Sequence, residues 1–112
     1  MKDHGIMHRD LKPDNLLWKN SNDFTQIGII DFGLAQVTKA EFYLYNRCGT
    51  PGYVAPEILM YKSIDMRPNY DEKVDIFSAG IILYLLITGI KPFKAGNYKK
   101  TLKNNKQCEI DF

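Results

Sequence analysis

Cysteine is scarce in this chain of 112 residues, with only Cys48 and Cys108 present. Lying 60 positions apart, they form neither a disulfide framework nor a CxxC metal pair, and such sparse use suits a reducing compartment. A long hydrophobic run is lacking too. The uncharged stretch Ile76 to Ile90 has 15 residues, short of the roughly 20 that cross a bilayer, and is interrupted by Ser78, Gly80, Thr88 and Gly89. It reads as a buried core helix, and no membrane partner is expected. The opening residues Met1 to Gly5 have no apolar segment of the signal-peptide kind, so the expected location is intracellular and cytoplasmic. The eight glycines contain no G-x-G-x-x-G phosphate loop, and internal repeats and low-complexity tracts are missing.

Charge of one sign is also in short supply, since the net charge is only +2 and names no partner. Its distribution is uneven. Residues 91–112 hold six lysines against Glu109 and Asp111, a local +4. With no aromatic stacking platform interleaved beyond Tyr98, this end reads as a solvated helix face and not as a nucleic-acid site. A hydrophobic content of 45% with 25% charged residues excludes a disordered tail, a collagen-like repeat and a coiled coil. The length leaves room for one domain at most, which should bury only about 60–70% of its unfolded surface.

Leu16–Trp18 and Gln26–Ile30 are short apolar runs separated by turn formers at positions 19–25, a hairpin signature. From Asp31 to Pro56 no period of 2.0 or 3.6 is sustained, so a long ordered loop is expected there, with no strand after residue 30. Pro56 opens a short helix through Met60. Asp71 is placed to cap a second helix that Gly89 and Pro92 end near Thr88. A last amphipathic helix is expected from about Asn97 to Lys106, with Tyr98 and Leu102 on one face.

The chemistry is concentrated near the start. His8-Arg9-Asp10-Leu11-Lys12-Pro13-Asp14-Asn15 packs a carboxylate, a cation and an amide together, and Pro13 forbids a continuous helix through them. The polar groups therefore sit on a loop. Asp10 could accept a proton from a hydroxyl, Lys12 could neutralise a phosphate, and Asn15 could give an oxygen to Mg²⁺. Taken alone, the stretch also reads as a polar turn before a strand. Asp31-Phe32-Gly33 directly follows a strand, where a carboxylate can hold a metal, although Asp-x-Gly is also an ordinary turn. Gly49 to Glu57 and Asp75 to Gly80 complete four signals in order.

In this order and spacing the chain resembles part of the catalytic domain of eukaryotic protein kinases. His8 to Asn15 is similar to the catalytic loop, Asp31-Phe32-Gly33 to the metal-binding motif, and Ala55-Pro56-Glu57 to the end of the activation segment. The resemblance implies an α+β, protein kinase-like fold: over residues 1–112, a partial C-terminal lobe with a small β-hairpin, a long activation segment and then mainly helices. It implies Asp10 as the catalytic base or orienter, with Lys12 beside the transferred phosphoryl group and Thr50 bonded to both. It further implies nucleotide-binding positions at Lys12, Asp14, Asn15, Leu17, Ile30 and Asp31, with Asn15 and Asp31 holding Mg²⁺, and ATP as the phosphoryl donor. Leu17 and Ile30 would line the adenine floor, Arg9 would face a phosphorylated or acidic group, and Asp75 would brace the catalytic-loop backbone.

Lys12 and Gly49-Thr50-Pro51-Gly52-Tyr53 are similar to Ser/Thr kinases, including the calcium/calmodulin-dependent group, whereas tyrosine kinases carry Ala and Arg in that part of the loop. Protein substrates with Ser/Thr acceptors, and a regulatory protein, are the partners this implies. The family's frequent phosphothreonine position is Asn46 here, which leaves Thr38, Tyr43 or Tyr45 as hydroxyls for modification, or control without phosphate. The Gly-rich loop, the strand lysine, the nucleotide-clamping lobe and the closing helices of the family have no counterpart in these residues. Activity is therefore not expected from this chain alone. A buried Glu57 would lack its family arginine, and apolar surface near Leu17, Ile30 and the Ile76–Ile90 helix should be exposed. A non-catalytic docking module is the competing expectation.

Overall fold

The computed structural model describes residues 2–62 and 70–110. After a single 3₁₀ turn at Lys2–His4, a two-residue strand β1 (Ile6–Met7) leads into the catalytic-type loop. Strands β2 (Leu16–Asn20) and β3 (Asp23–Ile29) then form an antiparallel hairpin with Leu16 opposite Ile29 and Trp18 opposite Ile27. The turn is tighter than the polar run 19–25 suggested. Lys19, Asn20 and residues 23–25 belong to the strands, with Asn20 opposite Asp23 and an irregular register between Trp18 and Asn20; nearly every side chain of this hairpin faces water, so no inside–outside alternation marks its limits. Asn20 Oδ1 accepts from the Asn22 amide and holds the turn.

A strand absent from the sequence reading follows: β4 (Gln36–Val37) pairs antiparallel with β1, Ile6 opposite Val37. A two-residue ladder has no period to detect, and its partner lies 30 positions away. Helices α1 (Pro56–Met60), α2 (Lys73–Thr88) and α3 (Tyr98–Gln107) complete the described chain. Pro56 occupies the first turn of α1, where its missing N–H costs nothing. At α2 the Asp71 carboxylate accepts from the Lys73 amide, and Gly89, at φ 70°, closes the other end by donating its N–H to Leu85. Asn97 caps α3 by accepting from the Lys100 amide at 2.9 Å.

The core has two adjoining clusters. Met7, Val54, Ile58 and Val74 are at the centre of one, and Leu11, Tyr53, Ile81, Ile82 and Phe93 form the other. Val74, Ser78, Ile81 and Ile82 recur at helical spacing and give α2 its inward face. Its other face is bare. Ile76, Leu83, Leu86 and Ile87 are exposed, the last two at 75%, so the reading as a buried core helix holds for one face only and the expected bare apolar surface lies on the other. The reason is thickness: the molecule extends 47 × 36 × 18 Å, and 18 Å holds only about two layers at roughly 10 Å spacing. Apolar surface is exposed on the hairpin as well, at Leu17, Trp18 and Ile30. On α3, Leu102 packs against the core, whereas Tyr98 is exposed. No helix among the described residues is long and apolar enough to cross a membrane.

Candidate active site

The loop between β1 and β2 owes its shape to one distant carboxylate. Asp75, in the first turn of α2 and 8% exposed, accepts from the His8 amide at 2.7 Å and the Arg9 amide at 2.9 Å. Arg9 has φ 66°, a left-handed conformation unfavourable for a side chain this large. That geometry turns two successive amides toward one anion, and two charge-assisted bonds offset the strain. His8 is fully buried. Its Nδ1 accepts from the Asp10 amide, so Nε2 carries the proton and donates to the Ile30 carbonyl at 2.9 Å. The ring also meets Phe32 edge-on at 4.9 Å, tying the loop to Asp31-Phe32-Gly33.

Three of the expected residues converge. The Thr50 hydroxyl donates to Asp10 Oδ1 at 2.6 Å, Lys12 Nζ donates to Thr50 Oγ1 at 2.9 Å, and Lys12 Nζ lies 3.3 Å from Asp10 Oδ2. A carboxylate, a cation and a hydroxyl thus share one partly exposed point. Pro13 starts the 3₁₀ turn Pro13–Asn15, which buries Asn15 and lets its Nδ2 donate to the Asp10 carbonyl at 2.9 Å. That bond uses the amide's donor end and leaves its oxygen as the metal-competent atom. Ile30 donates its N–H to the Asn15 carbonyl at 3.0 Å, which brings the next residue, Asp31, alongside.

Asp31 is exposed at φ 60°, with Oδ1 accepting from the Gly33 amide. Asn15 and Asp31 together offer hard oxygen donors of the kind Mg²⁺ prefers. Among the described residues no group of three His, Cys, Asp or Glu side chains could hold a metal. Any Mg²⁺ held by these two oxygens would take its remaining ligands from phosphate and water. Asp14 is exposed at the rim of a cavity of about 540 Å³ whose walls include Lys12, Asn15, Thr50 and Tyr53. Leu17 and Ile30 do not line this cavity. They are 52% and 40% exposed on the hairpin, so within this chain they form an open face and not an enclosed floor.

Arg9 departs from expectation. The residue is 2% exposed, and among the described residues its guanidinium bonds no acidic group. It donates instead to the Leu34 and Tyr45 carbonyls at 2.7 and 2.8 Å and to the Tyr70 hydroxyl at 3.0 Å, over the Tyr43 ring. Tyr70 in turn donates to the Asn46 carbonyl at 3.0 Å. Burial raises the pKa of the Tyr70 phenol above its ordinary value, with Arg9 acting in the opposite direction. Neutral partners thus fill the coordination that a phosphate would otherwise satisfy. Of the candidate hydroxyls, Tyr43 donates to the Thr38 carbonyl and Thr38 to the Gly5 carbonyl, whereas Tyr45 is exposed. Glu57 is exposed too, so the cost of an unpartnered buried carboxylate does not arise.

Sequence reasoning missed Tyr70 and Asn105. Asn105 is fully buried on α3, accepts from the Gly52 amide and donates to the Val54 carbonyl, both at 2.8 Å, and so fixes the segment that carries Thr50. Asn105 follows Leu102 by three positions, on the inward side of α3, but an asparagine there does not announce its distant backbone partners. Gly49 is needed for the same segment. At φ 105°, a Cβ there would lie 2.8 Å from the Arg9 carbonyl oxygen. Gly49→Ala is expected to destabilise the fold by about 2–3 kcal/mol, read as a lower urea midpoint at unchanged slope.

A sequence model described as the protein kinase domain matches residues 1–111. The chain is 47% identical over 109 residues to the probable serine/threonine-protein kinase 2 of Plasmodium falciparum (isolate K1 / Thailand), covering 97% of this chain and 20% of that protein. It is 41% identical over 108 residues to the calcium-dependent protein kinase 4 of Arabidopsis thaliana, covering 96% of this chain and 20% of that protein. With the calcium/calmodulin-dependent protein kinase type 1 of Caenorhabditis elegans it shares 46% over 93 residues, 83% of this chain and 25% of that protein. The chain therefore spans a quarter or less of the length of these relatives.

Proposed function

Because this chain belongs to the protein kinase domain family, we propose that it carries the phosphoryl-transfer centre of a Ser/Thr protein kinase. The reaction is transfer of the γ-phosphoryl group of ATP to Ser or Thr hydroxyls of protein substrates. The observation that supports this best is the Asp10–Lys12–Thr50 cluster, with its 2.6, 2.9 and 3.3 Å contacts.

In this reading Asp10 orients an acceptor hydroxyl and takes its proton through a carboxylate oxygen. Lys12 Nζ, 3.3 Å from Asp10 Oδ2, puts positive charge beside that carboxylate, where phosphate oxygens gather. Thr50 fixes the Asp10 rotamer, so the proton acceptor is oriented before substrate arrives. The oxygens of Asn15 and Asp31 would hold Mg²⁺, which neutralises the ATP phosphates when bound. Asp75 acts through the backbone alone, holding the loop on which Asp10 sits. A purely non-catalytic docking module gives no chemical account of Asp10, Asn15 and Asp31 all standing intact together.

The test is label transfer from [γ-³²P]ATP with Mg²⁺, measured on the longest protein product that carries these residues and on residues 1–112 alone. Asp10-dependent labelling of serine or threonine in the former is the expected result. Labelling confined to tyrosine, or unaffected by loss of Asp10, overturns the reading. Residues 1–112, which contain no glycine-rich phosphate loop, are expected to transfer none.

A further inference from the structure

The cavity beside the Asp10–Thr50 cluster has a wall that the phosphoryl-transfer reading does not use. Besides Lys12 and Thr50 it is lined by Lys91 and Lys94 together with the apolar side chains of Tyr53, Ile81 and Leu85. Asp14 is the only carboxylate among its described lining residues. Lys91 Nζ leans over the Tyr53 ring, 5.9 Å from its centroid, which keeps the ammonium at the cavity wall. Among the described residues no carboxylate lies within ion-pair distance of Lys91 or Lys94. A second cavity of about 450 Å³ shares Pro92 and Lys94 and adds Lys100, against the single carboxylate Glu109. The positive wall thus continues into this second cavity.

Two unpaired ammonium groups at the edge of an apolar surface create a field that draws in anions and repels cations. A basic side chain entering here would meet like charge, and a neutral one would leave both lysines uncompensated. The apolar lining suits the aliphatic stem of an extended polypeptide better than a bare ion. We propose that this cavity receives the acceptor polypeptide, and that Lys91 and Lys94 select segments carrying an anionic side chain, carboxylate or phosphate, close to the acceptor hydroxyl. The proposal rests on the phosphoryl-transfer reading only for the word acceptor, since the selection itself is a binding property.

Binding is measured without nucleotide, by fluorescence anisotropy of labelled serine peptides on residues 1–112 and on the longest product that contains them. Four peptides share one sequence and differ in the residues beside the serine: Gln, Glu, phosphoserine or Arg. The Glu and phosphoserine forms are expected to bind roughly 3- to 30-fold tighter than the Gln form, and the Arg form weakest. Lys91→Glu/Lys94→Glu, at two exposed positions, is expected to invert that order, and tight Arg-peptide binding by the variant would itself report an intact fold. A phosphoserine preference above tenfold over Glu would assign the anion to a previously phosphorylated acceptor, and near-equal binding to an acidic one.

Equal binding of all four, tightest binding of the Arg form, or no binding of the Glu form at millimolar concentration overturns the proposal. So does an unchanged order in the double variant, or equal competition by a single-stranded oligonucleotide, which would mark the patch as a general polyanion surface. Anionic-peptide selection in a protein that transfers no phosphate would sink the kinase reading alone. Transfer with no anionic preference would sink this one alone.

Discussion

Asp10→Asn is expected to slow phosphoryl transfer by roughly 10²- to 10⁴-fold, the range by which a positioned general base contributes. The substitution is close to isosteric, and an amide oxygen can still accept the Thr50 hydroxyl that Asp10 Oδ1 takes at 2.6 Å. The site should therefore keep its shape while losing the ability to accept a proton. The Lys12 ammonium, 3.3 Å from Asp10 Oδ2, would lose its ionic partner but retain Thr50. Because that pair is partly exposed, its contribution to stability is small. The expected signature in the longest product carrying these residues is thus a collapse of kcat with KM and thermal midpoint nearly unchanged. A loss below tenfold, or one that simply follows unfolding, would remove Asp10 from the role of base.

Asp75→Ala is expected to have the largest effect on stability, about 3–5 kcal/mol, since two buried amides would each lose a charged partner. His8 and Arg9 donate to the two oxygens of this one carboxylate across 67 and 66 positions. Alanine leaves both N–H groups unsatisfied and frees Arg9 from the contact that stabilises its positive φ. A loss of that size is a large share of the stability of any domain this small. Urea unfolding should show a sharply lower midpoint, and hydrogen exchange should quicken first at the His8 and Arg9 amides. Asp75→Asn, which keeps one acceptor oxygen and turns an NH₂ toward the other amide, should fall between. If Asp75→Ala unfolds near the native midpoint, the carboxylate does not brace the loop.

Both residues, Asp10 and Asp75, received these roles from the sequence through the family resemblance, and the two bonds to Asp75 match its bracing role. Helix limits were readable because their causes lie within a few positions: Pro56 at a first turn, Asp71 and Asn97 ahead of α2 and α3, and Gly89 where a left-handed residue ends α2. The reacting groups were readable for a similar reason, since Pro13 breaks any helix and compels Asp10, Lys12 and Asn15 onto one short loop. The β1–β4 pair was not, because two residues carry no periodicity and the bonds join distant segments. Arg9 was misjudged because its type announces a charge partner, whereas its position among carbonyls and the Tyr70 hydroxyl depends on three segments meeting. Asn105 was invisible for the same reason, its two bonds reaching more than 50 positions back.

By itself the sequence determined which chemical groups this protein can bring to a reaction, because loop-forming and capping residues act on their immediate neighbours. Tertiary structure alone decided which groups are neutralised and which stay available: Asp75 is used up on two amides, Arg9 on carbonyls, while Lys91 and Lys94 face a cavity with no carboxylate in ion-pair reach among the described residues. It also decided that one side of an apolar helix is left bare. Those outcomes depend on which distant segments share space within a body 18 Å thick, a property of packing that no window of neighbouring residues contains.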